Sequence, residues 1–233
     1  MASPDKAHYP RLLDMFCGAG GAAKGYQRAG FYVVGVDIDP QPNYCGDEFF
    51  QLDALALLDT YLTDGEGIPF DAIHASPPCQ AYTQTSNRWR GKGGAADNHP
   101  DLIGPTRERL GNIGVPWVLE NVVGAVWKME ATLILAGAMF GLGVHRPRLF
   151  ESNTLILSPG RGCRGIDRIG VYGNKPDGRR LNSRTTQRAA RSLAEGAEAM
   201  GIDWMTWDEL REAIPPAYTE WIGRQLIGAL ADV

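Results

Sequence analysis

Paired cysteines, clustered histidines, long apolar runs and an excess of positive charge are all missing from this chain of 233 residues. Its four cysteines (Cys17, Cys45, Cys79, Cys163) include no Cys-x-x-Cys pair, and its four histidines (His8, His74, His99, His145) fall at no ligand spacing. Neither a disulfide framework nor a metal site is therefore expected. An apolar run of about 18 residues is absent, as is a charged-then-apolar opening, which argues against membrane insertion and secretion and predicts a soluble, cytoplasmic protein. No internal repeat is visible. With 44% hydrophobic content the chain can still bury a sizeable core, so a compact enzyme-sized domain with a small insert is expected.

The net charge of −4 would speak against a polyanionic partner if it were spread evenly. It is not. Residues 152–192 carry nine basic side chains (Arg161, Arg164, Arg168, Lys175, Arg179, Arg180, Arg184, Arg188, Arg191) against Asp167 and Asp177, a net of +7, which leaves −11 for the remainder. Such asymmetry suggests that phosphate contact is concentrated in one segment, the plain alternative being a solvated loop. Glycine and Pro-Gly punctuation make this segment a small irregular module, with strand-like pieces at 154–157 and 169–172. Helices are predicted at 183–200 and 208–213.

What is present in abundance is strand-end chemistry. Leu12-Leu13-Asp14-Met15-Phe16 reads as a buried strand that runs into Cys17-Gly18-Ala19-Gly20-Gly21 and then a helix over 22–29. Glycines let a backbone approach a ligand closely and open a helix whose amino end faces it. A second strand at 31–36 ends in Asp37-Ile38-Asp39, about 20 residues past the loop, where a carboxylate can grip a ribose. The loop is not the G-x-G-x-x-G of dinucleotide binders, so NAD fits poorly. A third apolar run, 70–75, leads into Ser76-Pro77-Pro78-Cys79-Gln80, in which two prolines hold a thiol on a rigid turn. Residues 115–119 read as another central strand ending in Glu120-Asn121-Val122. His145-Arg146-Pro147-Arg148 places two arginines on the same side of an extended segment.

Taken in order, Asp14-Met15-Phe16-Cys17-Gly18-Ala19-Gly20-Gly21, Pro77-Pro78-Cys79-Gln80, Glu120-Asn121-Val122 and Arg146-x-Arg148 resemble the motifs of the cytosine-C5 DNA methyltransferase family. The likeness covers residues 11 to about 150, and residues 214–223 look like the family's closing helix. The chain departs from the family at Val144, where Gln is usual, and lacks the terminal Gly-Asn-Ser-Val of many members. The resemblance implies an α/β, Rossmann-like methyltransferase fold: a mostly parallel twisted sheet with helices on both faces and a small irregular target-recognition insert. Residues 1–151 would form the catalytic and cofactor-binding domain, 152–192 the basic recognition region and 193–233 the C-terminal helices that return to the catalytic domain.

The resemblance further implies that a target cytosine is flipped from double-stranded DNA and methylated at C5, within a short site, through a covalent adduct between Cys79 and C6. Cys79 would be the nucleophile, Glu120 the acid at N3, Arg148 a contact to O2, and Arg146 a support for the loop and the nucleotide backbone. S-adenosylmethionine is the cofactor implied, held by Phe16, Cys17, Gly18, Ala19 and Gly20, with Asp37 and Ile38 at the ribose, Asp53 and Ala54 near the adenine, and Pro77 alongside. Asp53 can equally be read as a helix cap ahead of residues 54–58. DNA would meet Gln80, Arg88, Trp89 and Arg90, in a loop read as a lid or as plain surface, and Lys175, Arg179, Arg180 and Arg184 in the insert. A monomer of a bacterial cell or phage-infected host is expected. Two alternatives remain: a tRNA cytosine-C5 methyltransferase, and a catalytically silent nucleic-acid-binding homologue.

Overall fold

The computed structural model describes residues 9–64, 68–79, 82, 101–130, 133–162, 169–179 and 188–231. Among them seven strands form one sheet in the order β3-β2-β1-β4-β5-β7-β6. These are β1 (Arg11–Met15), β2 (Tyr32–Asp37), β3 (Glu48–Gln51), β4 (Ala72–Ala75), β5 (Trp117–Val122), β6 (Leu133–Leu135) and β7 (Arg148–Ser152). Strands β1 to β5 run parallel, and β7 runs antiparallel to both β5 and β6. A short parallel pair, β8 (Ile169–Gly170) with β9 (Arg188–Ala189), lies apart.

The sheet is covered on both faces, as a mainly parallel sheet requires. Alternation along β1 separates the two cores: Leu13 and Met15 join one cluster with Val34, Val36 and Ile73, while Leu12 joins another with Val33, Ala72 and Val118. The first cluster is closed by α2 (Ala54–Asp64) and α3 (Ile103–Asn112), the second by α1 (Gly21–Ala29) and α6 (Pro216–Ala231). Helices α1 and α6 cross closely because a Cβ at Gly25 would stand 2.0 Å from Thr219 Oγ1, and one at Gly223 would stand 2.9 Å from the Tyr26 ring. The Thr219 hydroxyl donates to the Ala22 carbonyl (2.9 Å), locking that crossing.

A third cluster gathers Val144, Ile169, Val171 and Ala190 with residues of α4 (Leu193–Met200) and α5 (Trp207–Leu210). The apolar side chain at 144 is thus fully enclosed, which explains why a polar glutamine has no place there.

Several elements differ from their sequence reading. Residues 154–157 form no strand. Of the helix expected over 183–200, residues 183–187 lie outside the described residues; Arg188 and Ala189 pair with β8, and the helix begins at Leu193, where Ser192 takes an extended conformation and its hydroxyl accepts the Glu195 N–H. Helix α5 stops at Leu210 rather than 213. Glu120, Asn121 and Val122 lie inside β5, not beyond it, since the antiparallel register carries β5 on to the Val122–Arg148 pair.

Candidate active site

The carboxyl ends of β1, β2, β4 and β5 lie on one edge of the sheet, beside the reversal of strand order between β1 and β4, where open α/β sheets bind ligands. Because β7 is antiparallel, its first residue, Arg148, arrives at that same edge opposite Val122. A cleft of about 1010 Å³ opens there, with Phe16, Asp37, Cys79, Glu120 and Arg148 in its walls.

The nucleophile candidate is held by backbone chemistry on both sides. The Ser76 N–H donates to the Met15 carbonyl (3.1 Å), the Asn121 side chain donates to the Pro77 carbonyl (2.9 Å), and the Cys79 carbonyl accepts from the Tyr82 N–H (2.8 Å). Cys79 is half-buried, and burial first, then the nearby Glu120 charge, push its thiol pKa up, while Arg148 pulls it down. Burial likewise raises the pKa of Glu120, opposed by Arg148 and by a hydrogen bond from Ser76. Arg148 Nε stands 3.0 Å from Glu120 Oε1, close enough for an ion pair. It lies off the line of a hydrogen bond, however, and that buried oxygen is left without a hydrogen-bond partner. An unsatisfied acceptor facing a cleft is a recognition element in waiting.

Both arginines border the cleft, but they are held differently. Arg146 sits at φ 33, outside extended geometry, and is fully buried. Its Nε, Nη1 and Nη2 donate to the carbonyls of Ala213 (2.7 Å), Val171 (3.1 Å) and Arg211 (2.6 Å), and its own carbonyl accepts from Tyr218 (2.9 Å). Burial lowers its pKa to about 9, with the Arg148 charge adding to the effect. The side chain therefore ties three chain segments together.

The remaining walls suit a ligand with a ribose and a positive charge. Gly18 takes φ 49 with open space where a Cβ would stand, and Gly20 takes φ 84, where a Cβ would press on the Cys45 sulfur at 2.9 Å. The Gly18 N–H donates to Asp37 (3.0 Å), and Asp37, Ile38, Cys17, Ala19 and Pro77 face the same cleft. Asp14, at its floor, is wholly buried with neither carboxylate oxygen hydrogen-bonded. Burial, then the Asp37 charge, raises its pKa well above the usual range. A cationic ligand group would satisfy those acceptors, so these residues fit the cofactor implied by the motifs. Asp53 and Ala54 are not in the cleft wall: the Asp53 carboxylate caps α2, accepting the Leu55 (2.9 Å) and Ala56 (3.1 Å) N–H groups.

Of the residues expected to meet DNA, Gln80, Arg88, Trp89, Arg90, Arg180 and Arg184 lie outside the described residues. Lys175 and Arg179 are exposed. Arg188, also in the basic segment, is engaged by Glu195 of α4, so part of the local positive charge is spent within the fold. Sequence reasoning passed over Asp14 as a site residue, and also Tyr26, His74, Ser76 and Trp204, whose indole N–H donates to the Ala19 carbonyl of the glycine loop (2.9 Å). Only the two-residue spacing of His74 and Ser76 before a catalytic-type turn was there to be noticed.

A family model described as C-5 cytosine-specific DNA methylase matches residues 10–129, just over half of the chain. Comparison with curated proteins gives no match. Similar solved structures include a protein assigned as a DNA modification methyltransferase encoded within an E. coli prophage (15% identity, TM-score 0.61, covering 96% of this chain and 100% of that one). The Entamoeba histolytica methyltransferase EhMeth is similar at 12% identity (TM-score 0.59, 95% and 99% covered). So is the S. pombe Dnmt2 methyltransferase, at 13% (TM-score 0.59, 95% and 99% covered). At these identities the structural likeness is one of fold.

Proposed function

This chain belongs to the C-5 cytosine-specific DNA methylase family, and we propose that it methylates a flipped cytosine at C5 with Cys79 as nucleophile, Glu120 as acid and S-adenosylmethionine as methyl donor. The observation that carries this reading is the convergence of Cys79, Glu120 and Arg148 on one cleft at the switch edge of the sheet.

Cytosine C5 is a poor nucleophile until a thiolate adds to C6. In the proposed sequence the Cys79 sulfur forms a bond to C6, Glu120 delivers its proton to N3, and the electron pair of the former C5–C6 double bond becomes available at C5. S-adenosylmethionine, when bound, supplies an electrophilic methyl group. Loss of the C5 proton to water and return of the N3 proton to Glu120 then let the pair re-form the C5–C6 double bond as the C6–S bond breaks, freeing Cys79.

The electrostatics of the pair favour this assignment of roles. An ionised Glu120 raises the Cys79 pKa, so the neutral acid is the state in which the thiolate forms most readily. The two groups are thereby poised as acid and nucleophile together, not as two anions. Arg148, beside Glu120, favours negative charge on either group and would contact the ring's O2. Arg146 acts indirectly, by holding the turn that presents Arg148. Asp37 and the Phe16–Gly20 turn would hold the cofactor, and Lys175 and Arg179 the phosphate backbone. No helix among the described residues is long and apolar enough to cross a membrane.

The test is a duplex with 5-fluorocytosine at the target. Fluorine cannot leave C5 as a proton does, so the wild type should form a denaturant-resistant adduct that Cys79→Ala does not. An adduct that persists in Cys79→Ala, attached at Cys17, Cys45 or Cys163, would overturn the assignment.

A further inference from the structure

We propose that Trp204 is a positioning residue for the cofactor, its indole N–H pinning the Ala19–Gly20 peptide of the glycine turn in the orientation the cofactor meets. The inference rests on the reading of residues 16–20 as the cofactor turn.

That peptide is held at both of its polar ends. Its N–H, on Gly20, donates to the Cys17 carbonyl (3.0 Å) and closes the turn, while its carbonyl, on Ala19, accepts the Trp204 indole N–H (2.9 Å). The next peptide is fixed from nearby: the Gly20 carbonyl accepts the Lys24 N–H of α1 (2.9 Å) and the Cys45 thiol (3.1 Å). The bond at the Ala19 carbonyl comes from afar, from a side chain 185 positions on.

Covalent geometry does not set the peptide by itself. Gly20 stands at φ 84, and glycine takes φ of either sign about equally, so the peptide before it can turn over at little steric cost. Turned over, it would lose the bond to Cys17 and exchange carbonyl for N–H in a turn where Gly18 and Ala19 border the cleft. Ala19 is 5% exposed, and a carbonyl enclosed without a partner is costly. The indole N–H therefore weights the turn towards one orientation.

Trp204 is itself held in place. The Lys24 ammonium lies over its ring, 5.6 Å from the centroid, and the ring packs against the third cluster, in which its neighbour Met205 is buried. Thr206 and Glu209 form the capping box that opens α5, and both oxygens of Glu209 accept from the Asn43 side chain (3.0 and 3.1 Å), in the connection between β2 and β3. The same segment makes a matching bond elsewhere: the Trp207 indole N–H donates to the Gly173 carbonyl (2.9 Å), beyond β8. Two indoles three residues apart thus serve different parts of the cleft wall, Ala19 in the cofactor turn and Gly173 in the basic segment.

A ligand that needs one orientation of the turn binds more weakly in proportion to the fraction of protein that has left it. Losing the indole donor should change that fraction on the order of 5- to 10-fold.

The experiment measures S-adenosylmethionine binding by isothermal titration to the wild type, Trp204→Phe, Trp207→Phe and a protein with benzothienylalanine at position 204, which keeps the indole shape but carries sulfur in place of the N–H. Trp204→Phe should weaken binding about 5- to 10-fold. KM for S-adenosylmethionine should rise in step, while kcat at saturating cofactor and the affinity for DNA hold at wild-type values. The benzothienylalanine protein should show the same loss, which assigns it to the N–H, and it carries the test if Trp204→Phe does not fold. Trp207→Phe, which gives up an equivalent bond, should lower Tm to a similar extent yet bind the cofactor as the wild type does. Wild-type cofactor affinity in either 204 variant overturns the proposal. So does an equal weakening in Trp207→Phe, which would make the effect one of general stability. If the wild type binds no S-adenosylmethionine, the reading of the turn falls and the proposal with it. If it binds the cofactor but forms no 5-fluorocytosine adduct, the reading of Cys79 falls alone, and the affinities still decide the role of Trp204.

Discussion

Replacing each arginine of the Arg146–Arg148 pair by methionine should produce opposite phenotypes. Arg146 donates to three backbone carbonyls from a fully buried position, so Arg146→Met strands three acceptors, each worth about 1–3 kcal/mol when left unmade. Removing the buried charge returns part of that, since burial already depresses the Arg146 pKa to about 9. The lower end of the sum, about 3 kcal/mol, is the reasoned figure, and for a chain of this size it lowers Tm by about 6–12 °C. Arg148→Met removes the partner of Glu120, but Glu120 already has a raised pKa and can take up a proton, so no buried charge is left unpaired. Its Tm should stay within about 4 °C of the wild type while adduct formation falls sharply. Thermal unfolding of both variants, paired with the 5-fluorocytosine assay below the melting range, decides the matter. An Arg146→Met protein that melts with the wild type yet forms no adduct would show that Arg146 works on the substrate and not on the fold.

Glu120→Gln should bind S-adenosylmethionine normally but lose turnover on the order of 10² or more, because an amide has no acid proton to give N3; full activity would remove Glu120 from the mechanism. His74 has a folded-state pKa of about 3 against 6.5 ordinarily, so the unfolded chain binds more protons across that window. Wild-type stability should therefore decline as pH falls from about 6.5 towards 3, and His74→Gln should flatten the decline in urea midpoints. An unchanged slope would mean the ring titrates normally or that its neighbours, Asp14 in register across β1, Tyr26 and Ser76, absorb the proton. Lys175→Ala with Arg179→Ala should weaken DNA binding and reduce the salt slope by about 2 while leaving cofactor affinity intact; an unaltered slope would show that DNA passes elsewhere.

The parts of this site legible in the sequence are those in which a run of adjacent residues carries its own geometry. A strand followed by Gly18-Ala19-Gly20-Gly21 makes its turn by local stereochemistry, and Pro77-Pro78 stiffens the turn that presents Cys79 whatever packs around it. The failures have the opposite origin. The φ of 33 at Arg146 is unusual for a side chain with a Cβ, and it is sustained by carbonyls 25 to 67 residues away. Arg188 and Ala189, expected within a helix, pair with a strand instead, and Ser192 caps the helix that follows. Asp53 satisfied two patterns at once, and the helix cap is what the backbone uses. The Tyr26–His74 link joins positions 48 apart, and no local period announces it.

The close crossing of α1 and α6 also sets a schedule for the protein's birth. The Ala22 carbonyl and the Thr219 hydroxyl that bonds to it are separated by 197 residues. At ordinary translation speeds of about 5–20 residues per second, the ribosome needs about 10–40 s to supply the second after the first. Throughout that interval the side of α1 that α6 covers, at Gly25 and Tyr26, stays open, and the glycine loop lacks Ile214, whose carbonyl backs Gly21 in the finished fold. A nascent chain halfway out of the tunnel thus already holds its thiol and its acid, but not the wall against which its cofactor turn is set. Activity arrives late and all at once, and the waiting strands and helix are the stretch for which a chaperone would have most to do.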